Sequence, residues 1–451
     1  MRTILSVRKH ICSLLLLCFY IYTNAYAQEK CGFSETVRSV IVRHPGFVQT
    51  AARLKETGIN NAGYNPGTYK LQSVTPVLHP IPVIFHIVID QARLNAWGGI
   101  AGISALVDTQ LAVINRDFND ASAYRSAIPA AFLPFCGNPQ LSFARAQTAP
   151  DGTETPGYEV RVVQDAGFNI DGGNGSGFGF SAAKYTSSGG LDSWDPYSYL
   201  NVWVTDLRKN NTGSGYLGLT VPPSFVGTAT GIPAEEQGIT LSYKSWNAQG
   251  GYKAGTLTHE LGHYFGLWHI WGDDNGLCPW NGGSDDGIAD TPPQSSPTYD
   301  CPAFPYHDVC TPGGNGIMYM NFMDYTTDAC RNMFTLEQAT RIHTAVMPGG
   351  ALYALTQHAT LLQPPAGDDT QAVFVITPNP SWGIVNIIFS RVSAGLNAID
   401  VINTCGQQVA AITGNMQRGY FSFDMSGAAK GIYYIRIHLA AGTRVRTLVL
   451  Q

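Results

Sequence analysis

The apolar positions change period several times along the chain, and each change marks a boundary. Ile11 to Tyr22 form one short continuous apolar run. Residues 28 to about 75 show no strong period and end in the Gly/Asn/Pro stretch from Asn60 to Gly67. Ile81 to Ile89 is strongly apolar and reads as a strand. Ile103, Val107, Leu111, Ile114 and Phe118 then recur at helical spacing, which predicts a helix over about 103–118. Leu200–Leu207 and Ile239–Tyr243 read as further strands, and Tyr216–Leu219 as an edge strand near a cleft, where an extended peptide can add by main-chain hydrogen bonds. Helices are predicted over about 254–265 and 335–346. From Val373 the pattern becomes short apolar strands separated by turns: Phe374–Thr377, Val385–Phe389, Ile399–Ile402, Tyr433–Ile437 and Arg446–Leu450.

These changes divide the chain into a leader (1–27), a preceding segment (28–75), a main α+β domain (76–357), a linker (358–370, with Pro364-Pro365 and Asp368-Asp369) and a small all-β sandwich (371–451). The main domain is expected to be a twisted mixed sheet with a backing helix, then a helix bearing the chemistry, then an irregular subdomain. The sandwich carries no clustered His, Asp or Glu and is assigned no chemistry.

Composition narrows the class. Only 13% of residues are charged, while 49 are glycine, which favours a loop-rich globular protein over a disordered or coiled-coil one. The formal charge of −5 and the lack of any basic run exclude a nucleic-acid footprint. Arg2, Arg8 and Lys9 followed by the apolar run and Ala25-Tyr26-Ala27 read as a secretory signal, with the mature chain beginning near Gln28. The run falls short of the roughly 20 residues a membrane span needs, and no later stretch reaches that length. Of the seven cysteines beyond the signal, Cys278, Cys301, Cys310 and Cys330 cluster. In an exported protein that reads as two disulfides, with three pairings open. A lone Cys31 could pair with Cys136 or Cys405, stay idle, or place a thiolate on a metal.

The chemistry lies in His259-Glu260-Leu261-Gly262-His263-Tyr264-Phe265-Gly266-Leu267-Trp268-His269. Residues four apart share a helix face, so His259 and His263 can grip one ion, with Glu260 beside the first ligand. Gly266 can end the helix at positive φ, and the returning chain brings in His269. Three protein ligands leave a fourth position for water, the mark of a catalytic zinc site. A buried helix with ordinary histidines does not account for Glu260, Gly266 and His269 arriving together. Downstream, Asp273, Asp274, Asp285, Asp286 and Asp290 lie among glycines and prolines. This is either an oxygen-rich calcium loop or a solvated acidic one.

The long zinc motif, followed by Asn321-Phe322-Met323-Asp324-Tyr325-Thr326-Thr327-Asp328-Ala329-Cys330-Arg331-Asn332-Met333-Phe334, resembles the pappalysin family of metzincins. Thr256-Leu257-Thr258, Asp290-Thr291-Pro292 and Tyr199-Leu200-Asn201-Val202-Trp203 extend the resemblance over most of 76–345. Ile270 and Trp268 depart from the family pattern without touching the ligands. The resemblance implies Met323 as the Met-turn floor beneath the metal and Tyr325 as a hydrogen-bond donor to the reaction intermediate. It implies Asp328 in the pocket for the residue after the scissile bond, favouring Arg or Lys there. It further implies disulfides Cys278–Cys310 and Cys301–Cys330, calcium at the stretch from Asp286 to Thr291, and Cys31 as the zinc ligand of a latent form. Pro378-Asn379-Pro380, Gly383, Val401-Ile402-Asn403-Thr404-Cys405-Gly406 and Lys430-Gly431-Ile432-Tyr433-Tyr434 resemble the sorting domain of type IX secretion cargo. A substrate-targeting sandwich is the alternative.

The expectation is a secreted or cell-surface zinc endopeptidase, exported through the periplasm of a Gram-negative bacterium and monomeric. Its partners are protein substrates and the secretion machinery. A non-enzymatic adhesion protein on a dead protease scaffold is the rival, but such a chain is expected to have lost the glutamate or a ligand.

Overall fold

The computed structural model of the 451-residue chain describes residues 30–57, 78–119, 123–170, 180–209, 212–213, 216–227, 230–246, 254–273, 276–283, 285–364, 374–377, 379–381, 383–389, 396–413, 420–439 and 442–451. The expected leader, the boundary at 75, Asp274 and residues 365–370 of the expected linker lie outside them.

The strongly apolar stretch becomes β2 (Ile81–Ile89), buried along its whole length. It pairs in parallel with β3 (Phe143–Arg145), β4 (Tyr158–Val162) and β6 (Leu200–Lys209). The short β5 (Gly167–Asn169) pairs in parallel with the far end of β6. β8 (Gly238–Ser242) lies parallel on the other side of β6, and β7 (Tyr216–Val221) closes that side antiparallel to β8. Strands β3, β4 and β5 were not expected. They are three to five residues long, too short to show a period in the sequence.

The predicted backing helix is α3 (Gly99–Asn119). It buries Ile100, Ile103, Val107, Ile114 and Phe118 in one core with Val83, Phe85 and Ile87 of β2. A fully buried side chain of this size stabilises by about 1.5–3 kcal/mol. The same core takes Leu257, Leu261 and Tyr264 of α4 (Thr256–Tyr264), so the apolar face of α4 is clamped between sheet and backing helix. A last helix, α5 (Leu336–Val346), starts in a capping box of Thr335 and Gln338.

The N-terminal segment departs from the expectation of no strong period. It forms β1 (Lys30–Cys31), α1 (Phe33–Arg43) and α2 (Phe47–Thr57). Phe33, Val37 and Val40 line one face of α1, and Phe47, Ala51 and Leu54 one face of α2. Each stripe is only three residues long, which is why the period is weak in the sequence. β1 adds to the edge of β7 in parallel, with Cys31 opposite Gly218. The expected edge strand is therefore covered by this chain's own N-terminal segment.

The C-terminal region is all β, in two antiparallel sheets around one core. β9 (Phe374–Thr377), β10 (Ile384–Phe389) and β13 (Tyr420–Asp424) form one. β11 (Leu396–Asn403), β12 (Gln408–Thr413), β14 (Gly431–Leu439) and β15 (Gly442–Leu450) form the other. Residues 359–362, inside the expected linker, instead make a helical turn whose Leu361 carbonyl accepts the Gln147 N–H at 2.7 Å. Cys278–Cys310 and Cys301–Cys330 are disulfide-bonded, and Cys31, Cys136 and Cys405 are free thiols. No helix among the described residues is long and apolar enough to cross a membrane.

Candidate metal centre

His259 and His263 lie one turn apart on α4, and both are buried. The helix ends in a Schellman motif. Gly266, at φ 93°, donates its N–H to the His263 carbonyl, and Leu267 donates to the Gly262 carbonyl, both at 2.9 Å. The chain turns back through Trp268 and brings His269 against the two helical histidines. His269 Nε2 stands 3.2 Å from His259 Nε2 and 3.1 Å from His263 Nε2.

The second ring nitrogens explain this convergence. His259 Nδ1 donates to the Phe322 carbonyl at 2.7 Å, and His263 Nδ1 to the Leu267 carbonyl at 2.9 Å. A carbonyl only accepts, so both protons sit on Nδ1 and both Nε2 lone pairs point inward. Burial, then the neighbouring imidazoles, holds both histidines well below their usual pKa and keeps them neutral. Inward lone pairs at this spacing repel unless a cation lies between them. Ligand bonds of 2.0–2.1 Å at tetrahedral angles set nitrogens about 3.4 Å apart, close to the spacing here. The donor set therefore fits zinc. His269 is oriented by Asp273, whose Oδ1 lies 2.8 Å from Nδ1. Burial would raise the Asp273 carboxyl, but His269 and the Ser34 hydroxyl hold it down at about 2. Asp273 thus leaves the expected calcium set and serves the third ligand.

Glu260 is buried, and its Oε2 accepts the Thr220 hydroxyl at 2.6 Å. Oε1 makes no hydrogen bond among the described residues. Burial pushes the carboxyl up to about 7 against the pull of Thr220. Strand β7 passes so close that a Cβ at Gly218 would lie 2.6 Å from Oε1. Met323 is fully buried under the helix, and a Cβ at Gly262 would lie 2.3 Å from its Sδ. Its backbone N–H is held by Asn321 Oδ1 at 2.9 Å, and Asn321 in turn donates to Gln338 of the α5 capping box at 2.7 Å. The floor of the centre is thus tied to the start of the last helix.

Cys31 supplies a fourth donor. Its Sγ and one ring nitrogen from each of His259, His263 and His269 all lie within 4.8 Å of one another. The thiol is pushed up by burial and then by the Glu260 charge; a cation at the three nitrogens acts in the opposite sense. Tyr325 donates its hydroxyl to the Cys31 carbonyl at 3.1 Å, with its ring 5.0 Å from that of His269.

Asp328 stands at the other end of α4. Its Oδ2 accepts the Gly255 N–H at 3.1 Å and its Oδ1 pairs with Arg331. Asp286 and Thr291 are also brought together, the hydroxyl donating to the carboxylate at 2.9 Å. Burial, then Asp285, holds Asp286 well above the usual carboxylate range. Among the described residues the only cluster of three or more such donors is the one at His259.

Several contributors carried no sequence signal of their own. Thr220 and Asp117, which accepts the Thr258 hydroxyl at 2.6 Å, are distant polar residues that only the fold delivers. Ser34, whose hydroxyl donates to Asp273 at 2.6 Å, and Phe33, stacked 4.0 Å from the His263 ring, sit in the segment read as aperiodic. Asp273 was legible as the acid four residues after the third histidine.

Residues 186–347 match the family described as Pregnancy-associated plasma protein-A, and residues 375–451 the one described as Secretion system C-terminal sorting domain. An extracellular metalloprotease of Arthroderma otae is 37% identical over 147 residues, which cover 32% of this chain and 50% of that protein. The chain thus spans about half the length of the first curated relatives it matches. Mature mirolysin of Tannerella forsythia in complex with a cleaved peptide is 31% identical, with a TM-score of 0.54; the match covers 64% of this chain and all of that one. A promirolysin mutant of the same organism is 28% identical, with a TM-score of 0.58 and coverage of 74% and 100%. The zinc-type histidine cluster, the sheet that carries it and these likenesses agree: the chain belongs to the pappalysin family of metzincins, with a C-terminal region similar to secretion sorting domains.

Proposed function

We infer that the protein is a secreted zinc-dependent endopeptidase held latent by its own N-terminal segment. One observation carries the reading: three imidazoles converge beside a buried carboxylate that keeps one oxygen without a hydrogen bond. A zinc ion held by His259, His263 and His269 supplies Lewis acidity toward a carbonyl oxygen and lowers the pKa of water. Glu260 takes the proton of the attacking water on Oε1 and returns it to the leaving nitrogen, while Thr220 fixes Oε2. Once the Cys31 carbonyl is gone, the Tyr325 hydroxyl is released to donate to the developing oxyanion.

Cys31 blocks the centre in the full-length chain, and removal of segment 28–75 frees both the fourth position and the edge of β7 for substrate. Asp328, at the N-terminal end of α4, favours Arg or Lys after the scissile bond. Its carboxylate already pairs with Arg331, so a substrate cation shares it rather than meeting a bare charge. Calcium at the Asp286–Thr291 loop is a structural role, supported by the buried carboxylate there. The sorting region directs export through the secretion machinery, which places the enzyme outside the cell or on its surface.

Glu260→Ala tests the mechanism. The purified variant keeps its fold and metal content but loses casein cleavage after the segment is removed; retained cleavage overturns the role of Glu260. Cleavage-site profiling of the activated enzyme tests Asp328: cuts fall before Arg or Lys, and Asp328→Ala erases that preference. A calcium-selective chelator lowers Tm, and added calcium restores it.

A further inference from the structure

Phe33 has a surrounding that Cys31 does not explain. A switch cysteine needs only its thiol, yet Phe33, two residues on, is only 2% exposed and makes the closest ring stack at the centre. Its ring lies 4.0 Å from His263 at 11°, 5.6 Å from Phe225 at 23°, and meets Trp268 edge-on at 5.4 Å. Two walls of this slot belong to the protease body: Phe225, just beyond the edge strand β7, and Trp268, in the turn after α4. Leu54, Phe47, which meets Phe225 at 5.2 Å, and Lys55, whose ammonium lies 4.7 Å from the Trp268 ring centroid, come from the N-terminal segment and leave with it.

The slot's position relative to the scissile bond follows from α4. Asp328 binds Gly255 just before the helix, while His263, Gly266 and Trp268 lie at its end. Nine helical residues span about 13 Å, which an extended peptide covers in about four residues. Asp328 and the slot thus stand at opposite ends of α4, and the slot's Pro222 and Phe225 continue the chain beyond β7, whose Gly218 lies against Glu260. We propose that this slot is a substrate subsite that takes an aromatic side chain on the amino-terminal side of the scissile bond, within three residues of it, with Phe33 as its occupant in the latent chain. The assignment of sides rests on the reading of Asp328 given above. The slot is apolar and stacks flat rings, so it selects Phe, Tyr or Trp over Ala by burial and stacking, about tenfold or more.

The test is cleavage-site profiling with the zinc-loaded enzyme matured from the full-length chain, on a peptide library randomised on both sides of the cut. The expected result is enrichment of aromatic residues, about tenfold over alanine, at one position before the scissile bond. Phe225→Ala collapses the aromatic-to-alanine ratio at that position toward one, and Phe225→Leu leaves it intermediate. If Phe225→Ala fails to fold, Phe225→Leu alone decides, through the same ratio. A flat profile before the cut in the wild-type enzyme, or an unchanged ratio in both variants, overturns the subsite. Aromatic enrichment after the cut instead overturns the assignment of sides. A matured enzyme that cleaves no peptide overturns the endopeptidase reading itself, an outcome distinct from these.

Discussion

The two sides of the metal centre are built on different terms. On the helix side, every ligand is fixed twice, once toward the metal and once by a partner in the protease body: Phe322 for His259, Leu267 for His263, Asp273 for His269. On the segment side, Cys31 is attached through a two-residue strand, the Tyr325 hydroxyl and the rings around Phe33. α2 adds a second attachment, where Arg341 donates to the Lys55 carbonyl at 2.8 Å and to that of Glu56 at 3.2 Å. The contrast teaches that the three histidines are each held by a partner in the protease body, with Ser34 of the segment adding to Asp273, whereas the fourth donor rests on the N-terminal segment alone.

Breaking the helix side has the largest consequence. His263→Ala loses the metal and lowers peptide cleavage by about a thousandfold or more, measured as bound zinc per chain and kcat/KM. Breaking the segment side acts in the opposite direction. Cys31→Ala in the full-length chain raises cleavage by uncut protein about tenfold or more over the latent wild type, followed with a quenched peptide. Asp273→Asn keeps the fold but weakens metal affinity about 10–100-fold, read by competition with a chelator. Gly262→Ala drives a methyl into Met323 and lowers stability by about 1–3 kcal/mol, seen as a shifted denaturation midpoint.

The smallest signal is a slope. Burial raises the Asp324 carboxyl to about 6 despite hydrogen bonds from the Thr298 N–H and Gln294. The folded state therefore binds this proton more tightly than the unfolded chain. The stability it contributes is complete below about pH 4 and lost as pH rises through 6. Asp324→Asn removes that slope, and an unchanged difference between the two proteins from pH 4 to 7 contradicts it.

Much of the helix side was legible because its constraints are local. The four-residue spacing of His259 and His263, the glycine three residues after His263 and the return at His269 all lie within eleven residues. Each maps onto one turn of helix or one chain reversal. The long strands were legible because their buried positions leave apolar-rich runs, with only His86 breaking Ile81–Ile89. The short strands β3, β4 and β5 carry too few residues to show a period. Thr220 and Asp117 reach α4 from 40 and 141 residues away, so no window contains both ends. The two helices after Cys31 were hidden by brevity: each buries three apolar side chains against the protease body, and each stripe is one or two turns long. Asp273 was visible as an acid but assigned to the wrong neighbours, because a loop of aspartates gives no sign of which one turns back.

The Schellman turn at Gly266 has one more consequence. The residue whose N–H closes the helix, Leu267, is also the residue whose carbonyl sets the tautomer of His263. Stopping the helix and choosing the ring nitrogen that faces the metal are a single structural event. An insertion that lengthened α4 by one residue would therefore rotate the proton as well as the ligand. The length of the helix is thereby locked to the chemistry.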